Sequence, residues 1–168
     1  NTSTSLGWVQ GGRISRVLRV LTHAHDPYRI FGHAARTLLG RGKIDGAVLC
    51  SVVPEVNRFW SSVLRHESGG APLLVTPSLR FGIDVDYPRP QTIGGDRLVN
   101  ACAAANRYGI PVIVADFGTA TTFDVVSGRG AFIGGVIAPG LPLMADYLAD
   151  RTALLPRISA QGRFGRIG

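Results

Sequence analysis

The spacing of apolar residues divides the chain into alternating strand-like and helix-like segments. Short runs that alternate in polarity or are rich in β-branched residues predict strands, and they cover residues 13–20, 47–53, 73–75, 111–115, 122–126 and 131–137. Apolar positions three and four residues apart predict helices, which cover residues 26–39, 55–64, 94–108 and 141–155. Strands that alternate with helices favour an α/β fold.

Turn and cap residues mark the ends of these segments. Asp26 is placed to cap the first predicted helix, with Pro27 at its first helical position, and Pro156 ends the last helix. Residues 81–90 end in a run with two prolines, which excludes a regular ladder or a helix interior. We therefore predict a loop that delivers the chain to the helix beginning near Gly94.

The start of that helix carries a candidate catalytic carboxylate. Gly94 and Gly95 precede Asp96 and Arg97, and glycines admit a close approach of a ligand to the backbone. A carboxylate in the first helical turn also interacts favourably with the helix dipole, which is a purely structural use. In the functional interpretation, Asp96 accepts a proton from a substrate hydroxyl.

A second candidate site lies in residues 116–124, which read Asp-Phe-Gly-Thr-Ala-Thr-Thr-Phe-Asp. Gly118 lets the backbone turn, and Thr119, Thr121 and Thr122 offer hydroxyl and N–H donors that suit an anion such as phosphate. Threonine also has a high strand propensity, so the same residues fit an ordinary β-hairpin. Both interpretations stay open at this point.

The beginning of the chain resembles this second site. Residues 1–11 align with residues 118–128 so that threonine meets threonine twice and a glycine of the turn meets its counterpart. The alignment predicts an internal duplication. It also predicts that the counterpart of the preceding Asp116 and Phe117 is missing from the start of the chain.

Composition narrows the class of protein. With 168 residues, of which 45% are hydrophobic, the chain can bury the core of one domain or of two small ones. It has no run near the roughly 18 apolar residues of a membrane helix and no signal-peptide pattern at its start, so we expect a cytoplasmic protein without a membrane partner. Cys50 and Cys102 lack the spacing of a metal site and predict buried thiols.

The net charge is +7, but the cations are mostly single, scattered arginines without an interleaved aromatic stripe. This pattern predicts a solvated surface and makes a nucleic-acid partner an unfavoured interpretation. An anionic substrate such as a nucleotide would still be attracted by the positive field.

Taken in order, five short motifs resemble the type III pantothenate kinase family. They are Thr2-Ser3-Thr4 after Asn1, Ser51-Val52-Val53-Pro54, Tyr87 followed by Gly94-Gly95-Asp96-Arg97, the segment from Asp116 to Thr122, and Gly134-Gly135-Val136-Ile137-Ala138-Pro139-Gly140. Each motif is weak alone, but the ordered set spans nearly the whole chain. The family belongs to the superfamily of acetate and sugar kinases, Hsp70 and actin, in which two domains clasp a nucleotide.

The resemblance implies a fold as well as an activity. It implies an α/β protein with duplicated actin-like (ribonuclease H-like) domains, in which mixed sheets are flanked by helices, and a chain truncated at both ends. The first domain would cover residues 1–109, including the substrate loop and a linking helix. Residues 110–168 would begin the second domain. The family more often has alanine at the position of Gly95, a change that we expect to be harmless.

The implied reaction is phosphorylation of pantothenate by ATP, the first step of coenzyme A biosynthesis, in a homodimer that requires Mg²⁺ and a monovalent cation, K⁺ or NH₄⁺. By resemblance, Asp96 would be the catalytic proton acceptor and Asp116 the ligand of the monovalent cation. Pantothenate would be held by Tyr87, Gly94, Gly95, Asp96 and Arg97. ATP would be held by Asn1, Thr2, Ser3, Thr4, Ser5, Gly118 and Thr119.

Two rival interpretations share the fold. Some relatives of these kinases are accessory factors for transcription, and the basic charge of this chain is compatible with that role. A sugar or acetate kinase would share the nucleotide loops but not the segment from Tyr87 to Arg97.

Overall fold

A computed structural model describes residues 3–22, 27–39 and 44–151. Asn1, Thr2, the proposed Asp26 cap and the end of the last predicted helix lie outside these ranges. Two compact units are present, one formed by Asn1–Arg80 with Gln91–Leu98 and the other by Phe81–Pro90 with Val99–Gly168. The domain boundary after residue 109 stays a prediction.

The first unit begins with an antiparallel hairpin of β1 (Ser3–Gln10) and β2 (Arg13–Leu21). Gly11 and Gly12 close the turn with φ of +56° and +73°, values that favour glycine. The pairing shifts by one residue between Trp8 and Val9, which marks a β-bulge. The predicted strand at residues 13–20 is therefore confirmed as the second strand of a hairpin.

Helices and two very short parallel strands complete the first unit. The elements in order are α1 (Pro27–Leu39), β3 (Val48–Leu49), α2 (Pro54–Ser68) and β4 (Leu73–Leu74). Their core consists of four buried residues from three of these elements, namely Ala34, Leu49, Val56 and Trp60. Burial of these apolar side chains stabilises the packing of α1 and α2 over β3.

The strand predicted at residues 47–53 is much shorter in the structure. After Leu49 the chain turns, because the Ser51 hydroxyl accepts a hydrogen bond from the Val53 N–H at 3.1 Å. Pro54 then begins α2, and its ring suits the first helical position. A local turn thus overrides the β propensity of Val52 and Val53.

The second unit contains a four-stranded mixed sheet. Its strands are β5 (Asp84–Val85), β6 (Val112–Phe117), β7 (Ala120–Val126) and β8 (Ala131–Pro139), in the order β5-β8-β7-β6. β5 is parallel to β8, whereas the other neighbours are antiparallel. Ala101 of α3 (Gly95–Tyr108), Val126 and Phe132 are almost inaccessible to solvent in this unit, and Leu98, the last residue of the first unit on the same helix, is also buried. α4 (Leu141–Arg151) follows β8.

One strand lies where the sequence predicted only a loop. The Asp84 N–H donates to the Gly130 carbonyl at 3.0 Å, and the Asp86 N–H donates to the Phe132 carbonyl at 2.9 Å. These bonds hold β5 at the edge of the sheet, just before the prolines that make the rest of the segment irregular. No helix in the described part of the chain is both long and apolar enough to cross a membrane.

The expected α/β class with mixed sheets and flanking helices is confirmed. The duplication and the truncation at both ends stay predictions.

Candidate functional site

Asp96 lies in the first turn of α3 with its side chain exposed. Its Oδ1 accepts a hydrogen bond from the Arg97 N–H at 2.9 Å, and that N–H also approaches the Gly94 carbonyl at 3.1 Å. The Arg97 N–H, which lies in the first helical turn, is therefore shared between the Asp96 carboxylate and the Gly94 carbonyl. The structural use of Asp96 is present, and its exposure leaves the carboxylate accessible to a substrate.

The two glycines before Asp96 are tightly surrounded. A Cβ on Gly94 would overlap Asp96 Oδ1 and lie 3.4 Å from Val52 Cγ1. A Cβ on Gly95 would lie 3.1 Å from both Cγ1 and the carbonyl oxygen of Val75. The Asp96 conformation thus depends on the missing side chain at Gly94. An alanine at position 95 would require Val75 to move by a few tenths of an ångström.

Cys50 is electrostatically linked to Asp96. Removal of solvent by neighbouring atoms raises the pKa of the Cys50 thiol, and the negative charge of Asp96 raises this pKa further. The prediction of two buried thiols was wrong for Cys50, which is exposed and lies one residue after the end of β3. Cys102 is half-buried, with its thiol directed at the Phe81 carbonyl.

A cavity of about 270 Å³ adjoins the glycines of the first unit. Besides Gly94 and Gly95, its wall contains polar side chains that sequence reasoning did not assign to a site, namely Ser51, Asn57, Thr76 and Gln91. Of these, only Ser51 lay in a recognised motif. A concave space with a few polar groups is typical of small-molecule sites.

Tyr87 follows β5 in the second unit, and 40% of its surface is exposed. Its ring lies against the backbone of β8 at Gly134. The ring is therefore supported near Gly134 while the residue stays partly exposed to solvent. Sequence reasoning identified Tyr87 but gave no sign of what supports it.

Asp116 lies near the end of β6 and is exposed. Asn100 of α3 donates a hydrogen bond from Nδ2 to Asp116 Oδ2 at 3.2 Å. A carboxylate oxygen is a suitable ligand for a hard cation, and the amide fixes the orientation of the carboxylate. Sequence reasoning missed Asn100, although its place four residues after Asp96 on a predicted helix was a usable signal.

Within the described residues, no group of three or more His, Cys, Asp or Glu side chains is placed to hold a metal ion. The assignment of Asp116 to a monovalent cation stays a prediction. We assign no described residue to Mg²⁺.

The turn between β6 and β7 exposes Gly118 and Thr119. The Gly118 N–H donates to the Ala120 carbonyl at 3.0 Å, and the Gly140 N–H donates to the Thr119 carbonyl at 2.9 Å. Any Cβ at Gly140 would overlap this turn, so glycine is needed where the chain passes into α4. Thr119 can offer its hydroxyl to a ligand, whereas Thr121 is buried.

In the first unit, Ser3, Thr4 and Ser5 begin β1. The Thr4 and Thr22 hydroxyls are 3.1 Å apart, and Arg19 Nε donates to the Ser5 hydroxyl at 3.4 Å. Thr4 and Ser5 also line a cavity of about 590 Å³, which extends along β1 to Trp60 and contains none of the substrate residues predicted near Asp96. Asn1 and Thr2 lie outside the described residues.

Comparison with known proteins identifies the family of the chain. The family model described as type III pantothenate kinase matches residues 1–167. The chain belongs to the type III pantothenate kinase family. No match supports the transcriptional alternative.

Relatives within the type III pantothenate kinase family are substantially similar to the chain. A type III pantothenate kinase from Koribacter versatilis is 40% identical over 173 residues, which cover 94% of this chain and 63% of that relative. One from Acidothermus cellulolyticus is 42% identical and covers 94% of this chain and 64% of its own length. Another, from Methylacidiphilum infernorum, is 47% identical over 115 residues, covering 68% of this chain and 41% of its own length. The chain thus spans less than two thirds of these relatives.

Proposed function

We propose that the protein to which this chain belongs is a pantothenate kinase, which transfers the γ-phosphoryl group of ATP to the terminal hydroxyl of pantothenate and yields 4′-phosphopantothenate. The observation that carries the proposal is the match to the family over residues 1–167, combined with an exposed Asp96 carboxylate on the first turn of α3. Carboxylates of this kind accept or orient a hydroxyl proton.

Phosphoryl transfer depends more on the alignment of the hydroxyl with the phosphorus atom than on a strong base. Phosphoryl transfer passes through a loose transition state, in which the attacking hydroxyl loses its proton late. Asp96 would therefore act mainly by orienting the hydroxyl of pantothenate towards the phosphorus atom. Its hydrogen bond to the Arg97 N–H leaves the second carboxylate oxygen available for that purpose.

The remaining residues would bind substrates. Tyr87, Gly94, Gly95 and Arg97 would hold pantothenate, and the polar cavity lined by the two glycines supports their part in this assignment. ATP would contact the exposed turn at Gly118 and Thr119 and the hydroxyl-rich residues from Asn1 to Ser5. The net charge of +7 favours the approach of an anionic nucleotide and of the pantothenate carboxylate.

A monovalent cation, K⁺ or NH₄⁺, would bind at Asp116, whose exposed carboxylate and fixed orientation support the proposal. The cation would supply positive charge near the phosphate groups. Mg²⁺, a homodimer and a cytoplasmic location complete the proposal by resemblance to the family.

We also propose that the hairpin of β1 and β2 and the hairpin of β7 and β8 are copies of one unit. In the alignment of residues 1–11 with 118–128, Trp8 and Val9 correspond to Val125 and Val126. The strand pairing shifts at this same step in both hairpins. A shared bulge position supports duplication more strongly than shared threonines do, because bulges are kept as specific features of a fold.

The test uses the full-length protein with ATP, Mg²⁺ and pantothenate, with and without potassium. We expect phosphopantothenate to form and its rate to rise with potassium. Asp96→Asn keeps the shape of the side chain, and we expect it to lower kcat by about 100-fold or more while the KM for ATP stays within about twofold. Unchanged turnover in Asp96→Asn would remove Asp96 from the mechanism, and no product from the wild type would refute the proposed function.

A further inference from the structure

An irregularity in β8 lies beside the Tyr87 loop. Val125 pairs with Gly134 and Val126 pairs with Phe132, so Ile133 is an extra residue on β8. Gly134 has φ of +117°, a conformation that other residues rarely adopt. A bulge that contains a glycine redirects the neighbouring backbone, and such bulges are frequent beside active sites.

Tyr87 is brought to this point by strand pairing. β5 runs parallel to β8, with Val85 opposite Phe132, and the Asp86 N–H donates to the Phe132 carbonyl at 2.9 Å. The next residue along the chain is Tyr87. The edge of the sheet therefore fixes where the Tyr87 backbone lies before the side chain makes any contact.

The ring of Tyr87 lies tightly against the position that a Cβ at residue 134 would take. A Cβ there would lie 3.2 Å from Cε2 and 3.4 Å from Cδ2 of the ring. Both distances are closer than ordinary carbon contacts of about 3.5–4.0 Å. Gly134 is buried, whereas Tyr87 is 40% exposed.

We propose that Gly134 is a positioning residue for the substrate site, because the absence of a side chain at this position leaves the space in which the Tyr87 ring packs. This inference rests on the proposed function, in which Tyr87 binds pantothenate. A side chain at position 134 would lift or rotate the ring and so weaken binding of pantothenate, while the ATP site would not be affected through this contact.

The test is a double-mutant cycle in the full-length protein with Gly134→Ala, Tyr87→Ala and the double variant. We expect Gly134→Ala to raise the KM for pantothenate about tenfold, with the KM for ATP within about twofold of the wild type. In the Tyr87→Ala background, Gly134→Ala should raise the KM for pantothenate no further, because the ring that it displaces is absent.

Gly109→Ala is the matched control. Gly109 also has a positive φ, +84°, and a Cβ there would meet nothing within 4 Å. The variant therefore carries backbone strain of a similar kind without touching Tyr87, and it should leave the KM for pantothenate near the wild-type value.

Two results would overturn the inference. One is an increase in the KM for pantothenate that is equal in Gly134→Ala and Gly109→Ala, and the other is an increase that persists in full without the Tyr87 ring. Failure of the proposed function would look different, because the wild-type protein itself would then make no phosphopantothenate, and the inference would fall with it.

Discussion

The missing side chain at Gly94 should control the conformation of Asp96. In Gly94→Ala, the new Cβ would overlap Asp96 Oδ1 and would also touch Val52 Cγ1 at 3.4 Å. The overlapping atom is the end of a side chain and not backbone, so the fold can accept alanine by rotating the carboxylate. The expected outcome is a folded protein in which Asp96 points in a different direction.

The size of the effect follows from the contact. A side chain forced about 30° from its rotamer loses roughly 0.5–1.5 kcal/mol, and alanine is also a poorer residue than glycine at a helix N-cap. We therefore expect a loss of about 1–2 kcal/mol in the free energy of unfolding. Turnover should fall much more, by about 10- to 100-fold, because a catalytic group misplaced by about 1 Å can cost 100-fold.

Gly95→Ala provides the matched control. Its Cβ would meet both Cγ1 and the carbonyl oxygen of Val75 at 3.1 Å, so the crowding falls on Val75. The better helix propensity of alanine, worth up to about 1 kcal/mol, offsets part of the crowding. We expect its turnover to stay within about threefold of the wild type.

The assay measures ADP release by both full-length variants at saturating ATP and pantothenate, with denaturant unfolding of each. Equal turnover in Gly94→Ala and Gly95→Ala, with Gly94→Ala folded, would refute the idea that Gly94 holds Asp96 in place.

Three further predictions use other contacts. Asn100→Ala removes the amide bonded to Asp116, a contact worth roughly 1 kcal/mol. In a potassium titration, the concentration that gives half-maximal activity should rise about fivefold. An unchanged concentration would contradict a role of Asn100 in orienting the Asp116 carboxylate. Asp96→Asn removes a negative charge beside Cys50, so the pKa of the Cys50 thiol should fall. Alkylation of Cys50 at a fixed pH near 8, followed by mass spectrometry, should therefore become faster. An unchanged alkylation rate would exclude the electrostatic link between the two residues. Trp60→Ala leaves a cavity at a core position that is only 2% exposed, and it should lower the free energy of unfolding by about 3–5 kcal/mol, measured by denaturant unfolding. A loss below about 1 kcal/mol would contradict the packing of Trp60 in the core.

Local patterns were sufficient to predict most elements and the candidate motifs. The β6 and β7 strands and the helix beginning after Gly94 were recognisable because strand propensity, helical spacing and turn residues each depend on near neighbours in the chain. Asp96, Tyr87 and Asp116 could be named because short motifs occurred in a family-specific order. Their roles came from that resemblance and not from periodicity.

Tertiary packing decided what surrounds those residues. β5 could not be predicted from two residues, since its bonds go to Gly130 and Phe132, which lie about 45 residues further along the chain. The contact of Asn100 with Asp116 likewise joins a helix to a strand across 16 positions.

The sequence by itself determined which residues are candidates for the chemistry and which short elements hold them, because motifs and short elements depend on neighbours in the chain. Only the tertiary structure decided that Gly94 leaves room for the Asp96 carboxylate and that Gly134 leaves room for the Tyr87 ring. The physical reason is that an empty space beside a glycine is created by atoms from other elements, and a single glycine in a sequence does not show which neighbour fills it.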